Sequence, residues 1–259
     1  MASEAPPSPP RTVIRLEGVC KSYEGKTILD GVDLEVRKSE ILVILGGSGA
    51  GKSLTLKVMC GLVRPDSGSV TVFKQDVLAL DERSLRHLRR KFGYVFQSGA
   101  LINWLTAAEN VALPLEEHDL CPPGEVEGRV AEALASVGLP DAGPLLPDQL
   151  SGGMRKRVAL ARGLVQEPNA ILYDEPTTGL DPVSTASIDR VIRSTRDRTG
   201  LTSVVISHDL DSAFRIADRI AMLHRGRMVA CAPPEEFRAL DLEPVRRFLK
   251  ADPGDDIPA

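Results

Sequence analysis

The chain has no clustered cysteines and no long apolar run, and each absence excludes a class of protein. Its four cysteines lack the CxxC or Cys/His spacing of a zinc site, so we expect reduced thiols that bind no metal. They are Cys20, Cys60, Cys121 and Cys231. The longest apolar run, "ILVIL" at Ile41–Leu45, is far too short to cross a bilayer.

The chain also lacks a strong charge of one sign. A formal net charge of −4 over 259 residues gives no electrostatic reason to expect a nucleic acid partner. The opening "MASEAPPSPP" has no apolar segment of the kind that a secretory signal peptide needs, and it is typical of a disordered tail. The composition is that of a soluble globular protein, so we expect membrane contact only through partner proteins.

Strand and helix patterns alternate along most of the chain, which predicts an α/β fold. The segment "ILVIL" is continuously apolar, which is typical of a strand buried on both faces of a parallel sheet. From about residue 98 to 166 the pattern is mostly helical and predicts an inserted lobe. We therefore expect a disordered tail over 1–11, one α/β domain over 12–232, and terminal helices with an acidic tail over 233–259.

A phosphate-binding loop is predicted at Gly46–Ser53, "GGSGAGKS", which lies between the apolar strand and a helix. Its glycines allow the backbone to wrap a phosphate with N–H groups pointing inward, and the helix adds its positive dipole end. Lys52 is expected to reach the β- and γ-phosphates, and Ser53 to ligate Mg²⁺. The sequence thus predicts a site for ATP with Mg²⁺.

Further polar side chains follow predicted strands and are expected at the same sheet edge. Asp174 and Glu175 end "AILYDE", which places Asp174 near Mg²⁺ and Glu175 near the γ-phosphate, as a proton acceptor for the attacking water. His208 follows "TSVVIS" and Gln97 follows "FGYVF". Tyr23 lies upstream as an aromatic that can stack on adenine. Taken singly, each of these residues has an alternative interpretation as an ordinary turn, surface or packing residue.

A second anion-binding pattern, "LSGGM", opens another predicted helix. Ser151, Gly152 and Gly153 offer a hydroxyl and N–H groups at its N-terminus. One phosphate-binding loop suffices for one MgATP, so we expect the second pattern to serve the nucleotide of a second copy in a two-fold symmetric dimer. The helix is expected to be amphipathic, with an apolar face opposite the basic residues Arg155, Lys156 and Arg157.

The order of these motifs resembles that of ATP-binding cassette (ABC) ATPases, over about residues 13–232. The resemblance implies the ABC ATPase form of the P-loop NTPase fold, with a mainly parallel core sheet, an N-terminal antiparallel β part and an inserted helical lobe. It implies ATP hydrolysis with catalytic residues Glu175, His208 and Gln97, and metal contacts from Ser53, Gln97 and Asp174. The nucleotide-binding residues it implies are Tyr23, Gly46, Gly47, Ser48, Gly49, Ala50, Gly51, Lys52, Ser53, Leu54, Ser151, Gly152, Gly153 and Asp181.

Three stretches are similar to the ATPases of Mla/Mce-type phospholipid transporters of bacterial envelopes. They are "FQSGALINWLTAAENVALPL", "LSGGMRKRVALAR" and "ILYDEPTTGLDPVS". This resemblance implies a homodimer under two polytopic permease subunits, with an Mce-domain lipid-binding protein, peripheral at the cytoplasmic face of the inner membrane. Ile102 and Trp104 depart from the pattern, which has an aromatic and a small residue there.

Other cassette proteins remain alternatives. The ATPase of a polar-solute importer, such as an amino-acid type, keeps every core motif. Exporters usually fuse the cassette to spanning helices, and cassettes of translation or DNA repair need two cassettes, a coiled-coil insertion or a basic stripe. A regulator that binds nucleotide without hydrolysis is expected to lack Glu175 or His208, and this chain has both.

Overall fold

The computed structural model describes residues 11–250, which form two β-sheets and surrounding helices. The strands are β1 Thr12–Tyr23, β2 Lys26–Arg37, β3 Ile41–Leu45, β4 Ser67–Val72, β5 Gln75–Asp76, β6 Phe92–Val95, β7 Ala170–Asp174, β8 Thr202–Ile206, β9 Arg219–His224 and β10 Arg227–Ala232. The helices are α1 Lys52–Met59, α2 Glu82–Arg89, α3 Ala107–Glu117, α4 Pro123–Ser136, α5 Gly152–Leu164, α6 Pro182–Thr199, α7 Leu210–Ile216, α8 Pro234–Ala239 and α9 Glu243–Lys250.

The larger sheet has the strand order β10-β9-β3-β8-β7-β6 and is parallel except for β10. Its central strand β3 is buried on both faces, as the continuous apolar run predicts. Ile41, Val43 and Leu45 point into one core, whereas Leu42 and Ile44 point into the other. Two-sided burial is the usual state of a strand in the middle of a parallel sheet.

The smaller sheet is antiparallel, with the order β2-β1-β4-β5. Its inward side chains, such as Leu16 and Val32, share a core with Leu56 of α1 and with Leu42 and Ile44 of β3. The N-terminal antiparallel part expected from the resemblance is therefore present, and it covers one face of the parallel sheet.

The helices α3, α4 and α5 lie within the range 98–166 predicted for the helical lobe. A capping box fixes the start of α3, because Thr106 Oγ1 accepts from the Glu109 N–H at 3.2 Å and Glu109 Oε2 accepts from the Thr106 N–H at 2.7 Å. Helix α5 packs against α3, α4, α6 and β6, so it links the lobe to the sheet.

The expectation of a basic face on α5 is wrong for Lys156. Arg155 is exposed as expected, but only 8% of the surface of Lys156 is exposed. The reason is tertiary: α5 lies between the lobe and the sheet and is buried on more sides than its apolar stripe indicates.

The C-terminal helices α8 and α9 pack onto the same core as the lobe. Phe237 and Val245 are fully buried and Phe248 is nearly so. Helices α8 and α9 therefore share this core with strands of the larger sheet. Of the tail expected over 1–11, residues 1–10 lie outside the described residues, as does the acidic tail over 251–259. None of the helices within 11–250 combines the length and the apolar character required of a membrane span.

Replacing Phe237 with alanine should lower the free energy of unfolding by about 3–5 kcal/mol, because the aromatic ring leaves a cavity in the main core. Denaturant unfolding of the full chain measures the loss. Leu242→Ala in the same segment is the control, since Leu242 is 40% exposed, and it should cost only about 0.5 kcal/mol. Equal midpoints for Phe237→Ala and the wild type would contradict the assignment of α8 to the core.

Candidate active site

The loop Gly46–Gly51 joins β3 to α1 with backbone angles that side chains resist. Gly46 has φ 157° and Gly51 has φ 101°. A Cβ at Gly46 would lie 2.3 Å from the carbonyl oxygen of Leu223, and one at Gly51 would lie 2.7 Å from Leu29 Cδ2. Glycine is therefore required at both positions for the loop to keep this path.

This loop leaves the first turn of α1 open to an anion. Gly51 is the N-cap residue of α1, and no side chain caps the helix. The exposed N–H groups and the helix dipole favour a phosphate at this end. Lys52 is 7% exposed, and its Nζ donates to Gly46 O at 2.7 Å and Gly47 O at 2.9 Å. Burial lowers the pKa of its ammonium. These donors fit the phosphates of ATP.

Ser53 and Asp174 are already paired across the sheet edge. Ser53 Oγ donates to Asp174 Oδ1 at 2.8 Å, and Asp174 is buried at the end of β7. A hydroxyl and a carboxylate are ligands that Mg²⁺ prefers. Within residues 11–250 no group of three or more His, Cys, Asp or Glu side chains can hold a metal. The pair would hold Mg²⁺ in the way usual for this ion, with one or two protein oxygens beside substrate phosphates.

Glu175 has an unusual backbone and three side-chain donors. Its φ of 50° lies in the left-handed region, held by a hydrogen bond from its N–H to Ile206 O at 3.1 Å. Its Oε2 accepts from Gln97 Nε2 at 3.2 Å and from Thr178 Oγ1 at 2.9 Å, and it lies 3.3 Å from His208 Nδ1. Predicted site residues from three separate segments thus meet at one carboxylate.

The contact between Glu175 and His208 shifts both groups toward their charged forms. The hydrogen bond from His208 lowers the pKa of Glu175 to about 2, and the same contact raises the pKa of His208. The contact contributes its full stabilisation at pH values between the ordinary pKa values of the two groups, about 4.3 for glutamate and 6.5 for histidine. It is lost as pH rises through the raised pKa of His208, or falls through about 2.

The remaining predicted nucleotide-binding residues lie at separate places on the chain. Tyr23 ends β1 with 49% of its surface exposed, and Lys21 Nζ lies 5.3 Å from its ring centroid. Ser151 caps α5 by accepting from the Met154 N–H at 3.2 Å. Asp181 caps α6, and its carboxylate accepts from the N–H of Val183 at 2.9 Å.

The second anion-binding pattern packs against α6. A Cβ at Gly153 would lie 3.2 Å from Ser184 Oγ, which in turn donates to Asp181 Oδ2 at 2.6 Å. Over residues 11–250, Ser151, Gly152, Gly153 and Asp181 form no hydrogen bond with the loop at 46–53. The chain does not join its two phosphate-binding patterns into one site.

Two contributors were missed from the sequence. Thr178 donates to Glu175 three residues earlier, within a turn whose hydrogen-bond pattern the sequence alone does not reveal. Lys156 donates to the carbonyl oxygen of Gln97 and lies 3.4 Å from that of Glu175. No local signal separates Lys156 from its basic neighbours, because its burial arises from the packing of α5.

In a Glu175→Gln variant, the pKa of His208 should fall toward about 6.5, the ordinary histidine value, because the charged acceptor is lost. Side-chain NMR of the full chain, titrated from pH 5 to 9, measures this change. The other histidines, His87, His118 and His224, lie in other parts of the fold and are the internal control. An unchanged His208 titration would contradict the contact.

Comparison with known proteins bears on this geometry. The profile of the ABC transporter family matches residues 29–178. The chain is 38% identical over 256 residues to the methionine import ATP-binding protein MetN of Brucella abortus, covering 99% of this chain and 69% of MetN. It is also 38% identical over 236 residues to the probable ribonucleotide transport ATP-binding protein mkl of Mycobacterium tuberculosis, covering 91% and 66%.

Solved structures show the same architecture. The dimeric, post-hydrolysis state of the ATP-binding cassette MJ0796 bound to ADP and Pi has a TM-score of 0.79 and 34% identity, covering 86% of this chain and 99% of that one. The cassette CbiO1 of Clostridium perfringens has a TM-score of 0.82 and 27% identity, covering 93% and 96%. The expected fold is confirmed. The chain thus belongs to the ABC transporter family, as an ATP-binding subunit that hydrolyses ATP with Mg²⁺.

Proposed function

We propose that this chain powers phospholipid transport between or across bacterial envelope membranes, as a homodimer bound to a polytopic permease and an Mce-domain lipid-binding protein. ATP hydrolysis is supported by one observation. Gln97 and His208 contact the carboxylate of Glu175, which follows directly after the Ser53–Asp174 pair. All of these groups stand at one edge of one sheet, next to the phosphate-binding loop.

Each of these residues has a distinct task in hydrolysis. Lys52 and the N–H groups of the loop bind the phosphates, and Ser53 and Asp174 hold Mg²⁺, which neutralises phosphate charge when bound. Glu175 accepts the proton of the attacking water. With a pKa of about 2 it stays charged at neutral pH but accepts a proton weakly. Transfer of His208 from Glu175 to the γ-phosphate would raise that pKa and activate the carboxylate.

The dimer follows from the separation of the two phosphate-binding patterns. Ser151–Gly153 opens α5 at a surface that does not bond to its own loop, so a second copy is the partner that it fits. A head-to-tail pair places each pattern over the other subunit's ATP under two-fold symmetry. The relative MJ0796, which was solved as a dimer, supports this arrangement.

The permease contact is assigned to the loop that follows Gln97. Asn110 is fully buried and pins this loop, since its Oδ1 accepts from the Ile102 N–H at 2.8 Å and its Nδ2 donates to Ile102 O and Leu105 O at 3.0 Å. The pinned loop presents Trp104, which is 81% exposed. An exposed tryptophan on a fixed loop is typical of a binding anchor.

The phospholipid assignment rests on the three stretches that resemble Mla/Mce-type ATPases. An Mce-domain partner and a peripheral position at the cytoplasmic face of the inner membrane belong to the same proposal. A second candidate is import of an amino acid, which the 38% identity to the methionine import protein MetN favours. The chain has the same 38% identity to mkl, whose name gives a different cargo, so overall identity does not decide which cargo is transported.

Replacing Glu175 with glutamine should lower the ATP hydrolysis rate by about 10²–10⁴-fold, because the amide cannot accept the proton of water. ATP binding should persist, since the phosphate contacts are unchanged. Phosphate release measures the hydrolysis rate, and light scattering in the presence of ATP measures dimer formation. Glu125→Gln, at an exposed position of α4, is the control and should match the wild type. Normal hydrolysis by Glu175→Gln would exclude Glu175 as the base.

The cargo is tested by isolating the Glu175→Gln protein from its native membranes in mild detergent with ATP. Co-purification of a permease, an Mce-domain protein and bound phospholipid is expected. A permease with a soluble solute-binding protein instead would support amino-acid import and reject lipid transport.

The same isolation tests the permease contact. Trp104→Ser should reduce permease recovery at least severalfold, because it removes the exposed anchor. Leu62→Ser, also at an exposed apolar side chain, is the control and should retain the permease. Full recovery with Trp104→Ser would place the contact elsewhere.

A further inference from the structure

Lys156 is a buried cation in the middle of α5 and has no role among the predicted site residues. Only 8% of its surface is exposed. Its Nζ donates to the backbone oxygen of Gln97 and lies 3.4 Å from that of Glu175. One side chain of the helical lobe thus contacts the backbone of two residues that meet at the active-site carboxylate.

Filling the space at this position does not require a charged side chain. Methionine has a similar length and fills the same space without removing a charge from water. Burial lowers the pKa of Lys156, whereas the charges of Glu175 and Asp174 act in the opposite direction. The contacts to the two carbonyl oxygens compensate part of the cost of burying the charge, because a charged donor forms stronger hydrogen bonds than a neutral one.

A second cation of α5 holds the same loop but does not reach Glu175. Arg162 donates to Gly99 O at 2.8 Å and to Ala100 O at 2.7 Å. Together, Lys156 and Arg162 fix the segment after β6 to α5. Since α5 begins with Ser151–Gly153, the helix that offers the second anion-binding pattern is also tied to the loop of Gln97. Lys156 extends that tie to Glu175.

We propose that Lys156 is a positioning residue, which links the orientation of α5 to the backbone of Gln97 and Glu175. The proposal rests on the proposed role of Glu175 as the base. A rotation of the lobe moves Lys156 with α5 and thereby moves the main chain that carries the carboxylate. The orientation of α5 then determines two positions at once. One is that of Ser151–Gly153, which face the partner's ATP, and the other is that of Glu175, which acts on the chain's own ATP. The partners of the Lys156 ammonium in this structure are backbone oxygens.

If Lys156 positions Glu175, replacing Lys156 should lower the rate of ATP hydrolysis without weakening ATP binding. The contacts that hold Lys52 in the phosphate-binding loop, from its Nζ to Gly46 O and Gly47 O, do not involve Lys156. Loss of the ammonium should therefore leave ATP binding intact while Glu175 is less well placed. A purely structural role predicts instead a loss of stability, with binding and turnover falling together.

The test compares Lys156→Met with Arg157→Met in the full chain. Arg157 is the next residue of α5, and its hydrogen bonds among residues 11–250 stay within the lobe, to Val137 O at 3.5 Å and Gly138 O at 3.4 Å. Lys156→Met should lower kcat at least tenfold, with KM and the affinity for a fluorescent ATP analogue within twofold of the wild type. Arg157→Met should retain kcat. The two variants should have similar melting temperatures.

Wild-type kcat in Lys156→Met would overturn the proposal, as would a loss of ATP affinity that matches the loss of kcat. If Lys156→Met does not fold, Lys156→Gln decides, because its shorter amide cannot reach both carbonyl oxygens. A threefold or larger loss of kcat at unchanged affinity supports the proposal, and an unchanged kcat rejects it. Normal hydrolysis by Glu175→Gln would instead reject the proposed base, which distinguishes the two failures.

Discussion

The parallel alignment of β3, β8, β7 and β6 is the constraint on which the active site depends. In the register of this sheet Ile44 pairs with Ile206, Val205 with Tyr173, and Tyr173 with Val95. The carboxyl ends of four strands therefore reach one edge, although they are far apart in sequence. The phosphate-binding loop and the polar residues that follow the other strands meet because parallel strands end on the same side.

Charge is distributed unevenly at this edge. Two lysines, Lys52 and Lys156, are almost fully buried beside the carboxylates of Asp174 and Glu175. Lys52 belongs to the sheet side and Lys156 to the helical lobe. Glu175 lies between them with His208 at its open side. Lys156 thus contacts the main chain of Glu175 from the helical lobe, whereas Lys52 contacts the phosphate-binding loop.

Within residues 11–250 the two anion-binding patterns lie at the starts of two different helices, α1 and α5. No side chain caps the start of α1 after the loop at 46–53, and Ser151–Gly153 at the start of α5 forms no hydrogen bond with that loop within residues 11–250. Asp181 and Ser151 are occupied as helix caps within the chain, so they stabilise the presenting surface itself. This arrangement fits the proposed assembly, in which a second copy covers the nucleotide and a permease contacts Trp104.

The sequence by itself determined the residues of the phosphate-binding loop, the two-sided burial of β3 and the presence of a helical lobe. These depend on local patterns: glycines at strained turns, apolar continuity and helical periodicity. It did not determine Thr178 or Lys156, nor the packing of α8 and α9 onto the main core. Thr178 reaches Glu175 through a turn whose hydrogen bonding the local sequence does not reveal. The surroundings of Lys156 and of the C-terminal helices come from residues that are distant in the chain, and a lysine has the same local pattern whether its neighbours are water or carbonyl oxygens. Only the tertiary structure decided that Lys156 is buried between the lobe and Glu175, because burial is a property of packed elements.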